Sequence, residues 1–239
     1  MQRVAILMYH KVGAPVRCAR DRALNVTPAS FARQVRLIGR LGYRVMPLVE
    51  AVHALSRDIT LPRRTACFTF DDGYICVRDH AAPILAAASH AATVYVPTAW
   101  VGDASRWAPH AGADVLPIMA WEDLRRLRDA GWEIGGHTRS HSRLGALPDV
   151  HAHAEIAAGL ADTEAALGRA ARTFCYPYGD RNERTADLVR EAGFIGACTT
   201  TSGVVTIGRE HYLLPRVKVA FQDGVLGFLY RLLVRPYLG

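Results

Sequence analysis

Apolar runs of strand length alternate with helix-length amphipathic segments about seven times along this chain, and no other feature narrows the fold as far. The runs are 4–9 (VAILMY), 66–70 (ACFTF), 92–96 (ATVYV), 132–137 (WEIGGH), 172–176, 194–198 and 215–219 (PRVKV). Short apolar runs of this kind read as buried strands. Helical signals lie between them. Thr27-Pro28 supplies an N-cap and a first-turn proline, Phe31, Val35, Ile38 and Leu41 follow at helical spacing, and Gly42 sits where a C-cap belongs. An Ala-rich helix is expected near 79–89, another over 121–130 ended by Gly131, and a long one over 149–167 with Ile156, Leu160 and Leu167 on one face. One more is expected over 182–192. Repeated β-α units predict an α/β fold with a parallel sheet, either closed as a barrel or open and doubly wound. In a (β/α) barrel, function collects on the loops that follow the strands.

Composition narrows the function classes. At 239 residues and 50% hydrophobic, the chain can bury a full core in one domain. The net charge of +7 favours acidic partners, but the arginines are scattered, with no run of five and no nucleic-acid-binding signature, so no nucleic acid partner is expected. No window approaches eighteen consecutive apolar residues. The first apolar run ends at Tyr9-His10-Lys11 rather than at a small-residue cleavage site, which makes a cytoplasmic location the simplest expectation. Five cysteines without C-x-x-C spacing argue against a disulfide framework or a cysteine-type zinc site. The stretch 222–238 interleaves Leu, Phe and Tyr with Arg. A last helix packed on the barrel accounts for it, and peripheral contact with a bilayer is the other reading.

The polar residues of interest fall at the C-terminal ends of the strands. Asp71-Asp72-Gly73 follows ACFTF, His137 and His141 follow WEIGG, Tyr176-Pro177-Tyr178-Gly179 follows the run at 172–176, and His10 follows the first run. Neighbouring residues leaving a strand point to opposite sides, so Asp71 and Asp72 should have different partners. Adjacent carboxylates repel, and a cation on one of them relieves this. His137 and His141 share a face if their loop makes a helical turn. Two imidazoles and a carboxylate from another strand make a three-ligand site with an open position, the pattern of catalytic zinc. Read alone, DDG is equally a turn; the histidine pair is the sharper signal, with two surface residues as its other reading.

FTFDDG at 68–73, HTRSH at 137–141 and FCYPYG at 174–179 resemble, in order, the three leading motifs of the polysaccharide deacetylases, carbohydrate esterase family 4. The resemblance covers roughly residues 1–220. It implies a distorted (β/α) barrel of about seven strands, and a single NodB-like catalytic domain over 1–239. By that resemblance Asp71 is the general base, and Asp72, His137 and His141 hold one divalent metal. Zinc is the expected ion, other divalent metals also being used in the family. Tyr176 and Tyr178 line the groove, the latter lending a backbone N–H to the oxyanion. The family's third motif usually opens with an Arg that holds the catalytic Asp. Cys175 stands there instead, and Arg216 in LPRVKV is the expected substitute. No C-terminal motif with an acid histidine is present. The YH of AILMYHKV resembles the start of the circularly permuted poly-N-acetylglucosamine deacetylases, which makes His10 the general acid, expected opposite Asp71, with His211 next in line.

The implied activity is removal of N-acetyl groups from an N-acetylhexosamine-containing glycan or glycoconjugate. Hydrolysis of another C–N bond, in a cyclic imide or ureide, remains an alternative, as does a glycan-binding barrel that has lost catalysis. The missing motif Arg favours the last, and the intact Asp71, Asp72, His137 and His141 argue against it.

Overall fold

The computed structural model describes residues 3–14, 23–107, 115–206, 208, 210–219 and 224–235. Seven strands form the framework: β1 (Arg3–Tyr9), β2 (Arg64–Phe70), β3 (Thr93–Val96), β4 (Glu133–Gly136), β5 (Thr173–Cys175), β6 (Gly196–Ser202) and β7 (Leu214–Lys218). Each pairs in parallel with the next, and β1 pairs in parallel with both β2 and β7, which closes the sheet into a seven-stranded barrel. Two short insertions distort its lower rim. Arg44–Val45 pairs with the start of β2, and Val205–Thr206 runs antiparallel to the start of β1.

Among the described residues, seven helices accompany the strands: α1 (Pro28–Arg40), α2 (Leu48–Ser56), α3 (Ala82–Ala86), α4 (Trp121–Asp129), α5 (Asp149–Leu167), α6 (Glu183–Glu191) and α7 (Val225–Leu233). The end signals act as expected. Thr27 accepts a hydrogen bond from the Ser30 N–H, and Asn182 caps α6 by accepting from Thr185. Gly168 ends α5 at φ 70°. The helix expected near 79–89 is shorter. A π turn, Val77–Ala81, leads into α3. Pro83 has no N–H to donate to the carbonyl four residues back, so a regular helix cannot run through.

Strand alternation sorts the core into layers. Val4, Ile6, Cys67, Tyr95, Cys175, Cys198 and Leu214 meet in one cluster inside the barrel, plugged from below by Leu48, Ala51 and Val52 of α2. The opposite faces of the strands, with Ala5, Leu7, Phe68, Phe70 and Val94, pack on Phe31 and Val35 of α1, Leu124 of α4 and Phe228 of α7. Phe174 and Ala197 pack on α5 and α6. Inside the lower barrel, buried Glu133 accepts from both Thr93 and Thr173 hydroxyls, at 2.8 and 2.6 Å, and from the Val49 N–H of α2. A side chain at Gly135 would lie 2.5 Å from the Tyr95 ring, so that ring fills the bore only because β4 carries glycine there. With the lower bore filled, the upper mouth is the place left for a ligand.

Candidate metal centre and active site

β2 delivers both aspartates. The Asp71 N–H donates to the Tyr9 carbonyl at 3.0 Å, extending the β1–β2 ladder by one residue, so the Asp71 side chain still alternates inward. Asp72 then takes φ 74° and Gly73 φ 71°. This left-handed turn swings the Asp72 carboxylate back over the mouth, where plain alternation would have pointed it away. The two carboxylates have different partners, Arg216 for Asp71 and the two histidines for Asp72, although both face the mouth.

Arg216 of β7 is fully buried and holds both Asp71 oxygens at 2.7 Å. Its other donors reach the Thr199 carbonyl, the Thr69 hydroxyl and, at 3.2 Å, the Cys175 sulfur. The small thiol of Cys175 thus leaves room for a guanidinium that enters from a neighbouring strand, and Asp71 has the arginine the third motif lacks. Burial alone would raise the Asp71 pKa, but the charge and hydrogen bonds of Arg216 outweigh it and hold the carboxyl below its ordinary value.

Asp72, His137 and His141 converge. Asp72 Oδ1 lies 3.4 Å from His137 Nε2 and 3.1 Å from His141 Nε2, and the ligand atoms of the three residues all lie within 4.8 Å of one another. His137 Nδ1 is 2.6 Å from the Cys175 carbonyl, which can only accept, so that nitrogen carries the proton and Nε2 presents a lone pair. Burial lowers the His141 pKa despite the Asp72 charge, and its Nδ1 is buried without a hydrogen-bond partner. Two imidazole nitrogens and a carboxylate oxygen therefore face one point. Such a set can hold a shared cation, and its donors suit zinc or a similar divalent ion.

The loop carrying the histidines is not the helical turn that their spacing suggested. Thr138 and His141 both adopt left-handed conformations, at φ 62° and 66°. The Thr138 hydroxyl accepts from the His141 and Ser142 N–H groups. This side-chain bonding offers the backbone an alternative to helix and brings the two imidazoles to 4.9 Å between ring centroids.

His10 follows β1, with 15% of its side chain exposed, and places Nε2 3.6 Å from Asp71 Oδ2. It sits beside Asp71 and not opposite, because Tyr9 and Phe70 are register partners on adjacent strands. Burial lowers its pKa, with the charges of Asp71 and Asp72 opposing. His211 lies at the other end of the barrel, its carbonyl accepting from Ala197 near the start of β6.

The two tyrosines of the third motif separate. Tyr178 is 40% exposed at φ 61°, its ring 4.7 Å from that of His141. Gly179 follows at φ 70°, and a side chain there would meet the Thr200 hydroxyl at 2.1 Å. Tyr176, expected in the groove, is instead fully buried against Phe174 in the layer under α6, its hydroxyl donating to the Tyr212 carbonyl. Alternation along β5 turns it outward, since Cys175 faces the bore. Sequence reasoning missed Trp107, stacked on His141 at 4.6 Å, and Arg143, whose guanidinium lies 3.9 Å from the Tyr178 ring centre. Aromatic residues in a loop after a strand were the available signal.

A polysaccharide deacetylase family model matches residues 58–197. YxkH of Bacillus subtilis (strain 168), named as a member of the polysaccharide deacetylases, is 24% identical over 91% of this chain and 72% of its own length. A poly-beta-1,6-N-acetyl-D-glucosamine N-deacetylase of Staphylococcus aureus (strain MRSA252) is 22% identical over 82% of this chain and 68% of its own. Among solved structures, the Streptococcus pyogenes deacetylase PplD superposes with a TM-score of 0.82 at 21% identity, covering 96% of this chain and 98% of that one. IcaB from Ammonifex degensii superposes at 0.77 with 25% identity, covering 92% of both. With its closed seven-stranded barrel and ordered strand-end motifs, the chain belongs to the polysaccharide deacetylase family and is a carbohydrate N-deacetylase.

Proposed function

We propose that this protein removes N-acetyl groups from a glucosamine-type glycan, using one divalent metal, with zinc the preferred ion, held by Asp72, His137 and His141. The observation that carries the reading is the convergence of three acceptor atoms at the barrel mouth beside the Asp71–Arg216 pair. When bound, the ion supplies Lewis acidity, activating water near neutral pH and polarising the acyl carbonyl. Asp71, kept ionised by Arg216, accepts the proton of the attacking water. His10 gives a proton to the leaving amine, without which the C–N bond breaks poorly. They lie 3.6 Å apart, one water or a small side-chain movement from the hydrogen bond through which the proton can return from Asp71 to His10 and restore the pair. The Tyr178 backbone N–H stabilises the developing oxyanion, a contribution of about 3–4 kcal/mol for one well-placed donor. Tyr178 and Trp107, either side of His141, offer apolar faces to a sugar ring. The names of the relatives favour a β-1,6-linked N-acetylglucosamine polymer as substrate. The test is incubation with short oligomers of that polymer. Acetate and free amine should appear in equal amounts, and release of neither from any N-acetylated oligosaccharide removes the reading.

A further inference from the structure

Two neighbouring helices, α1 and α7, carry arginine and no acidic residue. α1 exposes Arg33, Arg36 and Arg40 and contains no acidic residue. α7 packs against α1 and β7 and likewise has no Asp or Glu. Its inward face is Phe228 and Leu232, buried in the core shared with Phe31. Its outward face is also apolar. Leu226, Tyr230, Leu233 and Val234 fall at i, i+4, i+7 and i+8, and are 82%, 49%, 42% and 42% exposed. Packing on the barrel explains the first stripe and leaves the second unexplained. Beside it, Lys218, Arg231 and Arg235 surround one small cavity. Burial first, and then the charges of Arg235, Arg216 and Arg231, lower the Lys218 pKa. Among the described residues, none of Arg33, Arg36, Arg40, Lys218 and Arg235 forms an ion pair.

A soluble anionic glycan would match the cations but leave the apolar stripe in water. A second copy docked through a two-fold axis would cover the stripe but bring like-charged arginines together. Apolar residues rimmed by cations match an anionic bilayer surface on both counts. We propose that the α1–α7 flank docks this protein on an anionic lipid bilayer, with Leu226, Tyr230, Leu233 and Val234 entering the interface while Arg33, Arg36, Arg40 and the Lys218 cluster meet the headgroups. No helix among the described residues is long and apolar enough to cross a membrane, so the contact is peripheral.

The test is sedimentation of the full chain with vesicles of phosphatidylcholine alone and of phosphatidylcholine mixed with phosphatidylglycerol. The protein should sediment only with the mixed vesicles, and less as salt is raised. R33Q/R36Q/R40Q should weaken partitioning roughly 10²-fold, at about 5-fold for each charge near the surface. L226D should also release the protein, and a polarity-sensitive dye on L226C should shift to the blue on vesicles. Both charge and apolar variants should keep the wild-type thermal midpoint and wild-type acetate release from a soluble oligomer, which separates this inference from the proposed function. Failure to sediment with anionic vesicles overturns it, as does binding indifferent to these substitutions. Binding that depends on the arginines but not on Leu226 would mark an anion-binding surface. A dimer dissociated by L226D would mark a protein interface, and either result also overturns the proposal.

Discussion

Arg216→Met removes the side chain on which the site's electrostatics rest while keeping a similar apolar stem. The guanidinium makes two charge-assisted bonds of 2.7 Å to Asp71, and both side chains are almost wholly out of water, at 0% and 4% exposure. Methionine leaves the Asp71 carboxylate buried without its cation and deprives the Thr199 carbonyl of a donor. Breaking a buried pair in this way costs about 3–5 kcal/mol, and in a chain of this length that lowers the thermal midpoint by roughly 6–20 °C. The pH dependence should reverse. In the wild type the Asp71 pKa is lowered on folding, so its contribution is present above the unfolded value of about 3.9 and is lost as pH falls through the folded pKa. Without Arg216, burial is the leading influence and raises that pKa, so stability should fall as pH climbs past about 4. The assay is urea unfolding of metal-stripped protein between pH 4 and pH 7, as round working limits for that window, followed by tryptophan fluorescence. If R216M does not fold, R216M/D71N removes both charges and should recover about 2–3 kcal/mol of the loss as the coupling energy of the pair. A loss below about 1 kcal/mol, or the same pH slope in both proteins, refutes the reasoning.

Three further substitutions divide metal binding from chemistry. His141→Ala should abolish stoichiometric divalent metal by elemental analysis, and unchanged metal content removes His141 from the ligand set. Asp71→Asn should lose turnover while keeping metal, since a neutral amide cannot accept the water's proton, whereas loss of metal would mean that the two aspartates exchange roles. His10→Ala should lower kcat by roughly 10²–10⁴-fold with fold and metal intact. The alkaline limb of the pH–rate profile should lie below the ordinary histidine value of about 6.5 and flatten in this variant, because burial lowers the His10 pKa. An unaltered kcat removes His10 from the mechanism.

Sequence reading reaches furthest where a side chain sits at the end of a strand. Seven apolar runs imply seven strands, and closure of the barrel carries Asp71, His137, Arg216 and His10 to one rim. What the pattern misses is the backbone just beyond those ends. Two left-handed residues aim Asp72 and His141, and periodicity carries no signal for positive φ at a non-glycine residue. The expected helical face for His137 and His141 fails for that reason, although Thr138 between them is a residue type that bonds its own backbone. The groove position of Tyr176 fails differently. A motif matched as a unit hides the alternation that buries every second side chain. The placement of His10 beside Asp71 was available from parallel pairing of β1 and β2, because residues 10 and 71 extend the register of Tyr9 and Phe70. The pairing of Arg216 with Asp71 follows from the same logic, since β7 and β2 both flank β1.

The central claim is that one divalent ion at Asp72, His137 and His141 is required for N-deacetylation. Its most direct test is a titration of chelator-stripped protein with Zn²⁺, following acetate release from an N-acetylglucosamine oligomer. Stripped protein should release no acetate, and activity should rise to a break at one equivalent of zinc. Full activity in stripped protein, or none at any equivalence of Zn²⁺ or of other divalent ions tried in its place, contradicts it.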